Sequence, residues 1–315
     1  MSWKLFYLLM RMTPTRLGQR TLWWALRKSG VAAHLCDEGY WKLQLLGVTG
    51  EAYSLTPGKG GVNSLILSQR LDPPPEMSVC CDKFAVREFV ASRVGREWLV
   101  PLLPREGCYW TRPEDVDFDA LPDRFVLKCN NGSQMNMIVR DKSKLNLAEV
   151  RAELAKWLKS DYSKGCREYQ YAAVSNKIIC EQMIETKSGE APNDYKIMCA
   201  DGKPLYIWVD TGRFTNHLRT VYTPDWKRQD VTIAYAAGTE DLPRPKNLDT
   251  MLKIASALSK GIRIVRIDLY NEDGRIYFGE MTFTSDANIA ITRPFSFSQA
   301  MLCQALGTVK SAGRT

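Results

Sequence analysis

Residues 265–283, VRIDLYNEDGRIYFGEMTF, constrain the fold more tightly than any other stretch of the chain. Two apolar segments, Ile262–Tyr270 and Arg275–Phe283, flank Asn271–Gly274, which reads as the turn of an antiparallel hairpin. Such a hairpin puts Asp268 and Glu280 on adjacent strands, where both carboxylates can converge on one point. Two carboxylates a few ångströms apart repel unless a proton or a cation lies between them. A hard, oxygen-seeking ion such as Mg²⁺ is the natural occupant, and it would bridge to nucleotide phosphates. Arg266, two residues before Asp268, is expected on the same face, because side chains alternate along a strand. Both acids interrupt otherwise apolar strands, which favours a functional role over a solvated surface hairpin.

A second hairpin is expected in residues 195–209, YKIMCADGKPLYIWV, with Asp201-Gly202 at its turn. Further strands are expected at Arg124–Lys128, Met137–Arg140 and Lys177–Ile184. Amphipathic spacing predicts helices over Asp82–Val94, Leu145–Ser160 and Asp249–Leu258. Asp82 stands near the start of the first, where a carboxylate is favoured, and Phe84, Val86, Phe89, Val90 and Val94 form its apolar stripe. Asn146 suits the N-cap of the second. Strands with intervening helices define an α+β class. Leu71–Met77, LDPPPEM, is an extended connector because its three prolines exclude helix. Thr56–Asn63, TPGKGGVN, is a glycine-rich loop. The expected organisation is a basic, mostly helical region over 1–80, a helix and loop over 81–122, and units over 123–184 and 185–310.

Composition narrows the chemistry. Only two histidines, His34 and His217, occur among 315 residues, so a His-rich metal centre is excluded. Substrate activation falls to Lys, Arg, Asp and Glu, which suits phosphoryl chemistry. Nine cysteines (36, 80, 81, 108, 129, 166, 180, 199 and 303) form no Cys-x-x-Cys pair, and reduced cytosolic thiols account for them better than disulfides or zinc. No apolar run is long enough to span a bilayer. The net charge is +8, and residues 1–36 carry Lys4, Arg11, Arg16, Arg20, Arg27 and Lys28 without one acidic residue. Trp3, Phe6, Tyr7, Trp23 and Trp24 lie among them. This stretch suits either an interfacial helix on anionic lipid or a helix pair that packs its aromatics behind a solvated basic face. No nucleic-acid-binding signature accompanies the charge, so nucleic acid is not an expected partner.

In FVLKCNNGSQMN, residues 125–136, a strand delivers Lys128 at its tip into a loop of Asn, Gly and Ser. An ammonium beside backbone N–H groups can bind phosphate oxygens, although an ordinary structural hairpin has the same look. The phosphate-loop pattern G-x-x-x-x-G-K-[ST] is absent. Glu181 sits in the apolar run Ile178–Ile184 and needs a hydrogen-bond partner there.

Taken in order, DKFAVREFV, LPDRFVLKCNNGS, REYQY, EQMI, NDYKIMCADGKP and RIDLYNEDGRIYFGEMTF resemble the TupA-like branch of the ATP-grasp superfamily, over roughly Cys81–Thr284. The resemblance implies an ATP-grasp fold, in which two α+β subdomains grip ATP between them. It also implies ATP-dependent ligation, in which a carboxylate becomes an acylphosphate that an amine captures. By the same resemblance Lys83 and Lys128 contact the phosphates, and Asn130, Asn131, Gly132, Ser133 and Gln134 form the loop that closes over them. Glu181, Gln182 and Met183 match the segment that holds adenine. Asp194 is similar to the residue that takes the ribose hydroxyls, with Lys196 counted among the nucleotide contacts. Asp268 and Glu280 resemble the Mg²⁺ ligands, and Arg266 the arginine that steadies the transferred phosphoryl group. Thr282 stands where the superfamily usually has a third ligand, Asn. The glycine that usually follows is absent from TSDANI, residues 284–289.

Proteins of this branch accompany surface-polysaccharide assembly. The expected substrates are therefore a glycan carboxylate, such as a uronic acid, and an amino-acid amine, handled in the cytoplasm or at the inner membrane face. The competing expectation is a sugar-nucleotide glycosyltransferase, whose D-x-D motif would be Asp115-Val116-Asp117. That motif normally ends an apolar strand, whereas TRPEDVDFDALP is a polar, proline-bounded loop.

Overall fold

A computed structural model describes residues 2–165, 167–187, 189, 192–212 and 217–312. The helices are α1 (Trp3–Met12), α2 (Arg16–Lys28), α3 (Asp37–Thr49), α4 (Val62–Leu71), α5 (Met77–Cys81), α6 (Val86–Val94), α7 (Leu147–Lys159), α8 (Tyr162–Gly165), α9 (Leu248–Ser259) and α10 (Phe295–Ala312). The strands are β1 (Phe125–Cys129), β2 (Asn136–Val139), β3 (Ile178–Gln182), β4 (Asp194–Ala200), β5 (Lys203–Thr211), β6 (Leu218–Tyr222), β7 (Arg228–Gln229), β8 (Thr232–Ile233), β9 (Val265–Glu272), β10 (Arg275–Thr282) and β11 (Thr292–Arg293). This is the α+β composition expected. Two compact units form, each discontinuous in sequence: 1–74 with 194–267 and 282–315, and 75–193 with 268–281.

In the first unit, β4, β5, β6 and β7 pair in order, each antiparallel to the next. Strand order runs on from β4 through β9 to β10, and the unit boundary falls inside β9, after Ile267. β4 is buried at every position. Val62, Leu65 and Ile66 of α4 and Met301, Leu302 and Ala305 of α10 join Met198, Tyr206, Trp208 and Val221 of the sheet in one core. α9 packs on β4 and β5 through an apolar stripe that includes Met251, Ile254 and Leu258. At the turn between β4 and β5, Asp201 (φ 45°) and Gly202 (φ 78°) both take the left-handed region, as a two-residue hairpin turn of matching twist requires.

α1, α2 and α3 share a core of Met10, Trp23, Ala32, Leu35, Leu43 and Leu46. The approach of α2 to α3 depends on Gly47, where an added Cβ would lie 2.3 Å from the Trp23 Cβ. The glycine-rich loop before α4 is held by the buried Glu51. Its Oε1 accepts from Gly61 N (2.9 Å), Ser64 N (3.2 Å) and Ser64 Oγ (2.8 Å), and its Oε2 accepts from Asn63 Nδ2 (3.2 Å). Burial pushes the Glu51 carboxyl up, and these hydrogen bonds oppose the shift without cancelling it. Glu51→Ala strands the buried Gly61 N–H, while Ser64 N keeps its second acceptor, Gly61 O (3.0 Å). It should cost roughly 1–3 kcal/mol, read as a lowered urea midpoint; an unchanged midpoint would mean water replaces the carboxylate.

The second unit carries the antiparallel sheet β2-β1-β3, with α7 packed on β1. Phe125, Leu127 and Cys129 of β1 meet Val150, Leu154 and Trp157 of α7 in its core. Asn146 caps α7 as expected, accepting from Ala148 N (3.1 Å) and Glu149 N (3.4 Å). The helix expected from Asp82 starts only at Val86. Asp82 Oδ1 accepts from Phe84 N (2.7 Å) and Ala85 N (3.1 Å), which holds residues 82–85 in a turn. Of its expected stripe, Val86 and Val90 are buried, while Phe84, Phe89 and Val94 are only partly so. Arg87 takes the inner face instead, donating to Val100 O (2.9 Å) and pairing with Glu106 (2.7 Å).

β9 starts later and runs further than expected, so the turn shrinks to Asp273 (φ 49°) and Gly274 (φ 83°). Eight cysteines are free thiols, and Cys166 lies outside the described residues. Burial pushes Cys80 and Cys180 up to about 12, so both stay protonated and unreactive.

Candidate functional site

The residues singled out in the sequence fall into two groups, one in each unit. In the second unit, Val126 of β1 pairs with Glu181 of β3, and Lys128 pairs with Ile179. Lys128 and Glu181 are therefore diagonal neighbours on one face of the sheet. The Lys128 ammonium pairs with Glu181 Oε2, so the hydrogen-bond partner that Glu181 needs is Lys128. The two side chains are only 18% and 12% exposed. Gln182 is exposed and Met183 is buried at the end of the same segment.

The loop after β1 is anchored at its start. Asn130 Oδ1 accepts from Lys177 N (2.7 Å), and Asn130 Nδ2 donates to Ser175 O (3.1 Å). Asn131 Nδ2 donates to Asn176 Oδ1 (2.8 Å), while Asn131 Oδ1 is buried without a hydrogen-bond partner among the described residues. Gly132 has φ +71°, and a Cβ there would lie 2.6 Å from the Tyr162 ring. Only glycine meets both demands. Lys83 closes the arrangement: its Nζ donates to Gly132 O (2.5 Å) and its backbone N to Asn130 O (2.9 Å). Ser133 and Gln134 project into solvent.

Asp268 and Glu280 also belong to this unit. Asp268 is 3% exposed and flanked in β9 by Ile267 and Leu269, both wholly buried. Glu280 is partly buried in β10. Burial raises the Cys81 thiol and the Tyr171 hydroxyl well above their ordinary values, and the charges of Glu168 and Glu280 raise both further.

Among the described residues no group of three or more His, Cys, Asp or Glu is placed to hold a metal. Mg²⁺ is commonly held by one or two carboxylates together with substrate phosphates and water. A buried aspartate with hard oxygen donors fits that ion and would suit zinc poorly.

The other group lies in the first unit. Asp194 and Lys196, two apart on β4, are both buried and form an ion pair. Arg266, 8% exposed, donates from Nη1 to Ser285 Oγ (3.0 Å). Thr282, at the end of β10, is partly buried.

Nearby in this unit is a cluster that sequence reasoning missed. Asp210 and Arg219 face each other in the β5–β6 register. Arg219 Nε and Nη2 donate to the two Asp210 oxygens (2.7 and 3.1 Å). Arg219 also lies over the Trp208 and Tyr235 rings and 3.6 Å from Asp286. His217 stacks on Tyr235 with centroids 3.8 Å apart, and its Nε2 is 3.3 Å from Asp210. Burial alone would raise the Asp210 carboxyl, but the Arg219 hydrogen bonds and charge, with Lys196 and His217, hold it below the ordinary range. The available signal was Asp210 closing the apolar run LYIWV with an arginine in the next strand.

The D-x-D candidate is structural. Asp117 Oδ1 accepts from Asp119 N (3.1 Å) and Ala120 N (3.2 Å), and Asp115 pairs with Arg112 at 3.5 Å. Asp117 thus caps a turn, Asp115 ends the short 3₁₀ helix Pro113–Asp115, and neither acid stands at a strand end.

The chain belongs to the TupA-like ATP-grasp family, whose model matches residues 63–301. The match reaches beyond the quoted blocks on both sides, into α4 and α10. It makes the protein a member of the ATP-grasp ligases.

Among solved structures, D-alanine–D-alanine ligase from Bacillus anthracis complexed with ATP is similar at 18% identity, over 75% of this chain and 70% of that one, with a TM-score of 0.43. D-cycloserine synthetase DcsG is similar at 16% identity, over 78% of this chain and 77% of its own, with a TM-score of 0.43. N5-carboxyaminoimidazole synthetase from Staphylococcus aureus complexed with ADP is similar at 11% identity, over 65% of this chain and 44% of its own, with a TM-score of 0.41. No curated protein sequence matches this chain.

Proposed function

We propose that the protein is an ATP- and Mg²⁺-dependent ligase that joins a carboxylate to an amine. The substrates we assign are a uronic-acid carboxyl of a surface polysaccharide or its precursor and the amine of an amino acid. The observation that carries this reading is the buried Asp268, with Glu280, on the β9–β10 hairpin of a TupA-like ATP-grasp chain. In this reading the substrate carboxylate attacks the γ-phosphorus of ATP, ADP leaves, and the acylphosphate loses phosphate when the amine attacks its carbonyl carbon. The amine gives up a proton in that second step. The barrier lies in bringing anions together, so positioning and charge neutralisation do most of the work.

Lys83 and Lys128 serve as phosphate contacts, and the Asn130–Ser133 loop offers backbone N–H groups beside them. Glu181, Gln182 and Met183 hold the adenine edge. Asp194 receives the ribose hydroxyls, with Lys196 neutralising its charge. Arg266, a buried guanidinium, stabilises the charge that develops on the transferred phosphoryl group. Asp268 and Glu280, with the Thr282 hydroxyl, would hold Mg²⁺, which would supply charge neutralisation for the transferred phosphoryl group. No covalent nucleophile from the protein is needed, consistent with so few histidines.

The test is thermal stabilisation of purified protein by ATP-Mg against UDP-sugars, followed by ADP release with pooled amino acids and a uronate. ATP-Mg should stabilise and UDP-sugars should not. Lys128→Ala should weaken ATP binding roughly ten- to a hundredfold, the worth of one charge-assisted phosphate contact. Asp115→Asn and Asp117→Asn should leave it unchanged. The opposite pattern, with Asp117 essential and Lys128 dispensable, would instead support the glycosyltransferase.

A further inference from the structure

α1 is apolar on two sides. Its inner stripe, Trp3, Phe6, Tyr7 and Met10, packs into the core shared with α2 and α3. Its outer stripe has the same spacing, Leu5, Leu8, Leu9 and Met12, and these side chains are 52%, 54%, 50% and 71% exposed. A helix apolar all round is ordinarily buried all round. α2 adds Leu17, Leu22 and Trp24, which are exposed, while Trp23 and Leu26 turn inward. Of the five aromatics that the sequence left open to lipid contact or helix-pair packing, four, Trp3, Phe6, Tyr7 and Trp23, serve the core. Leucines and Trp24 make up the outer apolar surface.

The charges around this surface have one sign. Lys4, Arg11, Arg20, Arg27 and Lys28 are exposed on the same two helices, and the Lys28 ammonium lies 5.9 Å from the Trp24 ring centroid. The first carboxylates of the chain, Asp37 and Glu38, come only at the start of α3. Arg16 does not belong to the set: it is partly buried and donates to Val48 O (3.4 Å). An exposed leucine stripe edged by cations matches an interfacial helix on anionic lipid, with the stripe in the acyl boundary and the cations at the headgroups. No helix among the described residues is long and apolar enough to cross a membrane, so the association is peripheral.

We infer that the outer face of α1 and α2 docks this protein on an anionic lipid surface. The inference stands apart from the ligase reading, because no residue in it belongs to the site described above.

The test is co-sedimentation of the full chain with vesicles of phosphatidylglycerol and phosphatidylcholine, and with phosphatidylcholine alone. Binding should occur on the mixed vesicles at low salt and be lost at high salt. Each engaged cation is worth about fivefold in partitioning, so Arg20→Glu with Arg27→Glu should lower the partition coefficient at least about twenty-five-fold. Leu8→Ser with Leu9→Ser should also release the protein, while its melting temperature and its stabilisation by ATP-Mg stay as in the wild type. Equal binding to both lipid types, or binding to neither, overturns the inference. So does a dimer in solution that the leucine variant dissociates, because the face would then belong to a second copy of the chain.

Discussion

Asp268→Asn and Glu280→Gln are each expected to abolish ADP formation while the protein stays folded. Asp268 is a carboxylate that the fold keeps between two wholly buried apolar residues, a placement that requires its charge to be paired, hydrogen-bonded or coordinated. Metal coordination supplies several kcal/mol of transition-state charge stabilisation, so losing one carboxylate ligand should slow turnover about a thousandfold or more. Both substitutions preserve shape, so the melting temperature should change little and ATP should still bind weakly through the lysines. Turnover measured across a Mg²⁺ titration decides the matter. Near-normal rates at limiting Mg²⁺ in either variant would remove that residue from the metal site.

Asp210→Ala should cost about 3 kcal/mol of stability, the low end of the penalty for breaking a buried ion pair, because Arg219 keeps Asp286 (3.6 Å) and Ile233 O (3.3 Å) as partners. Arg219 is 3% exposed and directs two hydrogen bonds at Asp210. The pH dependence has a definite sign. The Asp210 carboxyl is held below its ordinary value in the folded protein, so its contribution is complete above the unfolded carboxylate range and is lost as pH falls through the folded value. The stability gap between wild type and Asp210→Asn should therefore be wide at neutral pH and close as pH falls below about 4. A gap independent of pH would mean that Asp210 acts through packing alone.

Local rules made much of this molecule legible from its sequence. The Asp-Gly steps at 201–202 and 273–274 announce hairpins because few dipeptides accept positive φ at both turn positions. Asn146 announces α7 because its side chain satisfies N–H groups that the helix cannot. Illegible features depend on choices between equal local solutions. Asp82 can cap a helix or hold a turn, and packing around Asn130 and Lys83 selects the turn. α1 offers two apolar stripes of the same period, and only the position of α3 shows which is inside. The Asp210–Arg219 pair depends on the register between β5 and β6, which no composition reveals. The charge-bearing residues of β1, β3, β9 and β10 stood out because an ionised group in an apolar strand is rare enough to require a reason.

The division of the chain bears on how the protein is made. It passes between the units at four points, after residues 74, 193, 267 and 281. A ribosome releases the chain from its N-terminus, and domains generally fold as their last residue emerges. Neither unit can finish early: the second waits for Met281, and the first waits for the helix that begins at Phe295. The sheet that carries Lys128 therefore emerges long before Asp268 and Glu280, and a nascent chain stalled between them would carry the lysine without the two carboxylates. Nor can either unit be exchanged with a relative by one cut and one join, because the hairpin must travel with the segment that ends at Asn193.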